Sequence, residues 1–283
     1  MSDQEIEPRI ALEGRDSAQL SPALAKRLRQ LTPARIALRR TGISLATSEV
    51  LDFQLAHGRA RDAVHAPLQP ATLLAALRSL GGSEPILLHS AAPDRPTYLK
   101  RPDLGRKLSD ASRKRLATLA HPNCDLVIDL AIVLADGLSA LAVERNAEPL
   151  LAELLPTLLR AMPELNLAPI CIVEQGRVAV GDEIAHLLSA EMVIVLIGER
   201  PGLSSPDSLG AYITWQPRPG RTTDAERNCI SNIRVEGLSY PQAAARLLHY
   251  IREARDKRRT GVALKDPDEP QLALGTYDSG DEK

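Results

Sequence analysis

Apolar residues are spaced in two ways along this chain, and the change of spacing divides it. Up to about residue 119 they recur at helical intervals within polar sequence. Ser21 and Pro22 supply the N-cap and first position of a short helix ending near Pro33. Thr47 or Ser48 caps a second helix, which carries Val50, Leu51, Leu55, Ala56 and Val64 on one face to about residue 65. Residues 70–80 and 109–119 predict two more, the latter capped by Ser109 with Asp110 in its first turn. Beyond Cys124 the apolar residues come in unbroken β-branched runs: LVIDLAIVLADG (126–137), PICIV (169–173) and VIVLI (193–197). Such runs suit strands buried on both faces. Between and after them lie a helical pattern at 148–162 interrupted by Pro156, the amphipathic DEIAHLL (182–188), and a last long helix at 241–259.

Strand and helix therefore alternate in the second half. The expected fold class is α/β: a Rossmann-like, mostly parallel sheet with flanking helices, preceded by a smaller helical N-terminal domain. The expected divisions are a mobile N-terminal arm at 1–20, a helical domain at 21–120, the Rossmann-like domain at 121–265 and an acidic tail at 266–283.

Composition narrows the partners. A net charge of -1 gives no field of one sign, and one Trp, five Tyr and one Phe leave few platforms for stacking bases, so no nucleic acid is expected. No apolar run is long enough to span a bilayer, and MSDQEIEPRI lacks the apolar core of a secretory signal, so no membrane partner and a cytoplasmic location are expected. Cys124, Cys171 and Cys229 are far apart and form no C-x-x-C pair, which predicts free thiols. His57, His65, His89, His121, His186 and His249 show no metal-ligand spacing, so no metal site and no catalytic histidine are expected.

The sequence holds no phosphate loop, no G-x-G-x-x-G after a strand, no H-E-x-x-H and no G-x-S-x-G. Four segments remain as candidates, read here as loops. Asp136-Gly137-Leu138-Ser139 either presents Asp136 to a partner or forms a strand-to-helix turn with an N-cap. Gly176-Arg177-Val178 follows a strand and either lines a ligand or turns a hairpin. Gly198 to Leu203 sets Glu199 and Arg200 at a strand end, where glycines let a ligand approach the backbone; its structural alternative is a Glu199/Arg200 surface pair. Asn228-Cys229-Ile230-Ser231-Asn232 places a thiol among amides and a hydroxyl, although cysteine also packs well in cores.

These segments resemble the small (light) subunit of ethanolamine ammonia-lyase. The likeness runs through FQLAHGRARDAVH (53–65), YLKRPDLGRKL (98–108), ADGLSALAV (135–143) and GRVAVGDEIAHLL (176–188). It is densest in GERPGLSSPDSLGAY (198–212) and DAERNCISNIR (224–234), and it spans residues 35–265 in one order. The resemblance implies an adenosylcobalamin-dependent carbon–nitrogen lyase that converts ethanolamine to acetaldehyde and ammonia by a radical rearrangement, begun by homolysis of the cofactor's cobalt–carbon bond. It implies a large barrel subunit as partner, which binds most of the ethanolamine and carries the chemistry, while the small subunit covers the cobalamin at the interface. Carried onto the GRV, GERPGL and NCISN motifs, the cofactor contacts would be Val178, Glu199 and Cys229, with no catalytic residue on this chain. The D-x-H-x-x-G pattern is absent, which implies that cobalt keeps its own base and takes no ligand from this subunit. A bacterial microcompartment joins the cytoplasm as a location. Two other readings stay open: a stand-alone α/β enzyme with Cys229 as nucleophile, and a scaffold subunit that never touches cofactor.

Overall fold

The computed structural model describes residues 21–32, 34–119 and 128–264; the arm, Cys124, His121 and the acidic tail lie outside them. The chain divides into two units between Leu55 and Ala56. In the first, α1 (Pro22–Leu31) is capped by Ser21, whose Oγ accepts the Leu24 N–H at 3.2 Å. A hairpin of β1 (Arg40–Thr41) and β2 (Ser44–Leu45) turns at Gly42, whose φ of +60° suits glycine. It leads into α2 (Thr47–His65). Glu49 gathers Arg29 at 3.3 Å and Arg39 at 3.5 Å. Val50, Leu51 and Leu55, placed by the sequence on the apolar face of α2, are exposed; the helix buries Ala60 and Ala63.

The second unit is built on the β-branched runs. Its elements are α3 (Pro70–Ser79), β3 (Ile86–His89), α4 (Arg95–Lys100), α5 (Asp110–Leu119), β4 (Ile128–Ala135), α6 (Ala140–Ala161), β5 (Cys171–Glu174), α7 (Val180–Leu187), β6 (Ala190–Gly198), β7 (Leu209–Trp215), β8 (Arg227–Ile233) and α8 (Tyr240–Lys257). The sheet order is β3-β5-β4-β6-β7-β8, with the first four strands parallel, β7 antiparallel to β6 and β8 antiparallel to β7. This is the mostly parallel α/β sheet that alternation implied.

Period-two alternation sorts each strand between two cores. Leu130, Ile132 and Leu134 of β4, Met192, Ile194 and Leu196 of β6, and Leu209, Ala211 and Ile213 of β7 pack under α6, α8 and α3. Ala131, Val133, Ala135, Val193, Val195 and Ile197 face the other way, toward Val180, Ile184 and Ala185 of α7. Both sides of the central strands are therefore covered, which is why their sequences read as continuous apolar runs.

Three local expectations differ. β3 belongs to the sheet, pairing Ile86 with Cys171 and Leu88 with Val173, although its short ILLH run lies within the span read as helical. Residues 56–119 accordingly share a unit with the sheet rather than ending a domain near residue 120. The helix read at 148–162 starts at Ala140, capped by Ser139, and continues through both Pro149 and Pro156. Each proline removes one backbone donor, and the buried side chains of Leu150, Leu151, Leu154 and Leu158 hold the helix across those gaps.

Candidate functional site

The turns that follow β4, β5 and β6 come together at the sheet's carboxyl ends. Asp136 turns inward and is buried. Its Oδ1 accepts the Gly176 N–H at 3.0 Å, and its Oδ2 lies 3.5 Å from Arg95 Nη1. Ser139 supplies the N-cap, so this turn caps a helix and offers no carboxylate to a partner. Arg95 also donates to Val64 O at 2.8 Å and Gly137 O at 2.7 Å. Tyr98, fully buried, donates its hydroxyl to Gly176 O at 3.1 Å. The Arg95 and Arg177 guanidiniums lie 4.9 and 4.3 Å from its ring centre.

Burial pushes the Asp136 carboxyl up to about 6, against the pull of the backbone N–H donors and Arg95. Between its ordinary value and that point the folded chain holds the proton more tightly than the unfolded chain does. Stability from this group is thus present at low pH and lost as pH rises through about 6. The expected loss is about 3 kcal/mol at most. Unfolding measured from pH 4 to pH 7 should show this slope in the parent chain and not in Asp136→Asn.

Val178 sits half-buried in the turn between β5 and α7, packed against the α7-side core. The turn leads into a helix and is not a hairpin; Arg177 N–H ties it to Gly105 O at 2.7 Å. Glu199 follows β6 directly. Its carboxylate accepts from Ser208 Oγ and, at 3.2 Å, from the Asn232 N–H, so it joins the adjoining ends of β7 and β8 rather than pairing with Arg200. It also lies over Gly210, where an added Cβ would stand 3.0 Å from Glu199 Oε1.

Cys229 was read as part of a loop, but it stands on β8, paired with Tyr212 of β7, which in turn pairs with Val195. The loop reading failed because Asn228, Ser231 and Asn232 have low strand propensity, and pairing with β7 overrides it. Cys229 and Ser231 are exposed on the side opposite Ile230, with their Sγ and Oγ atoms 3.4 Å apart. The half-buried Tyr212 packs against the α7-side core, and burial and the Cys229 thiol both push its phenol up. Neither neighbour is a base able to activate the thiol, which removes the support for a Cys229 nucleophile. Cys171, by contrast, is buried in the sheet and pushed up to about 12 by that burial.

Gly210, Tyr212, Cys229 and Ser231 thus share the α7 side of β7 and β8, with Glu199 at one end and the turn carrying Val178 across from them. Strands lie about 4.8 Å apart, so β8 is roughly 10 Å from β6. The face is broad, largely uncharged, and rimmed by a thiol, hydroxyls and an amide.

Below it, a buried ion pair joins α7 to β8. Asp182 accepts two hydrogen bonds from Arg227, each 2.7 Å, and the two side chains are 1% and 2% exposed. Burial raises the Asp182 carboxyl although Arg227 pulls it down. Beside this pair a cavity of about 900 Å³ is bounded by Val178, Arg177, Arg106, Lys107, Thr222 and Arg227, among others. The sequence flagged none of Arg95, Tyr98, Asp182 or Arg227. Their partners are distant in the chain, and no local pattern announces such pairs.

Among the described residues, no cluster of three His, Cys, Asp or Glu is placed to hold a metal, and no helix is long and apolar enough to cross a membrane. The six-stranded, mostly parallel sheet with flanking helices makes this an α/β protein, a class in which ligands bind outside the carboxyl ends of the strands. The family model for the ethanolamine ammonia-lyase light chain matches residues 23–265. The ethanolamine ammonia-lyase small subunit of Pseudomonas aeruginosa (strain UCBPP-PA14) is 59% identical over 249 residues, covering 88% of this chain and 89% of that one. The small subunit from Pseudomonas fluorescens (strain SBW25) is 52% identical over 279 residues, covering 96% and 97%. The chain belongs to the ethanolamine ammonia-lyase small-subunit family. Ethanolamine ammonia-lyase is a lyase, and a small subunit implies a large-subunit partner.

Proposed function

We propose that the α7 side of β7 and β8 covers adenosylcobalamin where this chain meets the large subunit of ethanolamine ammonia-lyase, with Val178, Glu199 and Cys229 as its contacts. The observation that carries this is their disposition around one face: Cys229 is exposed on β8, Glu199 holds the ends of β7 and β8, and Val178 borders the same side from the turn before α7. A corrin ring edged by neutral amides needs shape and modest polar contacts, and this surface supplies them. The missing Cβ of Gly210 leaves room for the Glu199 side chain to lie across β7. When bound, the cofactor supplies the homolytic chemistry that turns ethanolamine into acetaldehyde and ammonia. This chain's residues orient it and exclude water, while the large subunit holds most of the substrate. Exposed Ile43, Leu51, Phe53 and Leu55 in the first unit provide apolar surface for that partner. Assembly in the cytoplasm, or in a bacterial microcompartment within it, fits the same role.

The test is equilibrium binding of adenosylcobalamin by the assembled complex. Cys229→Ala and Glu199→Ala are each expected to weaken binding by about three- to tenfold, the range of a lost polar contact. The exposed Cys229→Trp should weaken it further by filling the face. Unchanged affinity in all three variants would sink the assignment, and turnover by this chain without its partner would return the stand-alone enzyme.

A further inference from the structure

The cavity next to Val178 carries a charge imbalance that packing does not account for. Four carboxylates line it, and three are already committed. Asp182 takes both bonds from Arg227, Glu183 takes Arg113 at 2.6 Å and the Leu108 N–H at 2.7 Å, and Asp103 takes Arg101 at 2.7 Å. The fourth, Asp224, is almost wholly exposed and lies 3.6 Å from Arg227 Nε. Arg106, Lys107 and Arg177 line the same space, and none makes an ion pair among the described residues. Lys107 is felt only weakly by the Asp103 carboxylate.

Arg177 is the best placed of the three. Its guanidinium is stacked on the buried Tyr98 ring, which fixes its direction, and its buried Nε has no hydrogen-bond partner. Arg227, nearly fully buried on another wall, likewise has an Nε without a hydrogen bond. The unpaired positive charge of Arg106, Lys107 and Arg177 around one cavity, with Arg177 held in place by Tyr98, describes a site for a phosphate-type anion. Sulfate or a carboxylate would satisfy these cations as well; the phosphodiester is singled out by the cavity's place beside the proposed cofactor face.

The cavity adjoins the proposed cofactor face through Val178, and cobalamin has one anionic group, the phosphodiester that links its corrin to its nucleotide base. We infer that this cavity receives the cofactor's phosphodiester, with Arg177 as the principal contact and Arg106 as a second. The inference rests on the cofactor face proposed above and adds where the nucleotide tail lies. It also gives a role to Tyr98, which positions Arg177 from beneath.

The assembled complex should be titrated with cobalamin and with cobinamide, which keeps the corrin and its amides but lacks the phosphodiester and the base. Arg177→Gln is expected to weaken cobalamin about tenfold and to leave cobinamide within about twofold. Arg177→Lys, which keeps the charge, should recover part of the loss. Arg106→Gln, at an exposed position, should show the same selectivity at smaller size. Inorganic phosphate should compete with cobalamin through this site and leave cobinamide binding unchanged. Equal loss of both corrinoids in Arg177→Gln would mean that Arg177 merely shapes the turn at Val178, and would overturn the inference. So would no loss of either, or phosphate competing equally with both. The cofactor face itself is judged separately: Cys229→Trp should weaken both corrinoids, and its failure to do so counts against the face whatever the arginine variants show.

Discussion

Asp182→Ala is expected to destabilise the fold by about 3 to 5 kcal/mol, the cost of leaving a buried charge without its partner. Arg227 has a 2% exposed side chain and spends both terminal nitrogens on Asp182, with Thr214 Oγ1 as a further acceptor at 2.9 Å. Removing the carboxylate strands the guanidinium between α7 and β8 with Thr214 Oγ1 and the exposed Asp224 as its remaining partners. The double replacement Asp182→Leu with Arg227→Met should recover most of the loss, because taking both charges out of water was itself costly. Chemical denaturation of the two variants against the parent chain checks this. A double variant as unstable as the single one would show that the pair fastens α7 to the sheet by more than its charge balance.

Gly198→Ala is expected to cost about 3 kcal/mol, at the upper end for overfilling a packed site. A Cβ on Gly198 would fall 2.0 Å from Ser139 O and 2.6 Å from Asp136 O, while a Cβ on Gly137 would fall 2.2 Å from Gly198 O. These contacts are with backbone, which cannot rotate aside. The Leu138 N–H also bonds Gly198 O at 2.9 Å, so the turn after β4 and the end of β6 move together. The variant should therefore lower the denaturation midpoint, and its loss of cofactor affinity should exceed that of Cys229→Ala, because Glu199 is the next residue. Gly210→Ala, whose Cβ meets only the end of a flexible glutamate, should cost much less.

The central sheet was legible because both faces of β4, β5 and β6 are buried, and such strands leave a continuous apolar trace. β3 was not, since four residues beginning after Pro85 carry too short a trace to tell from a loop. The prolines of α6 misled for the opposite reason: a local rule about backbone donors lost to a long buried leucine stripe. At the site, the segments around Val178 and Glu199 could be singled out from Gly-bearing strand ends, and Gly198 does prove to be pressed against neighbouring backbone. Cys229 was found by composition and family likeness, yet placed in the wrong kind of element. Polar residues on an edge strand look like loop until its partner strand is known. The Arg95–Asp136 and Asp182–Arg227 pairs join positions 41 and 45 residues apart, and nothing in either neighbourhood marks them as buried.

The pairing scheme of the sheet also has a kinetic side. Gly198 pairs with Leu209 and Leu209 with Ile233, whereas Ile86 must find Cys171 and Ile128 must find Ala190. The β6–β7–β8 ladder closes short loops and so loses the least chain entropy on forming, while the parallel half must first bring distant segments together. The strands that carry the proposed cofactor surface are thus the ones that the whole chain pairs at the least entropy cost. The sheet's slow step lies at its far edge, where β3 docks.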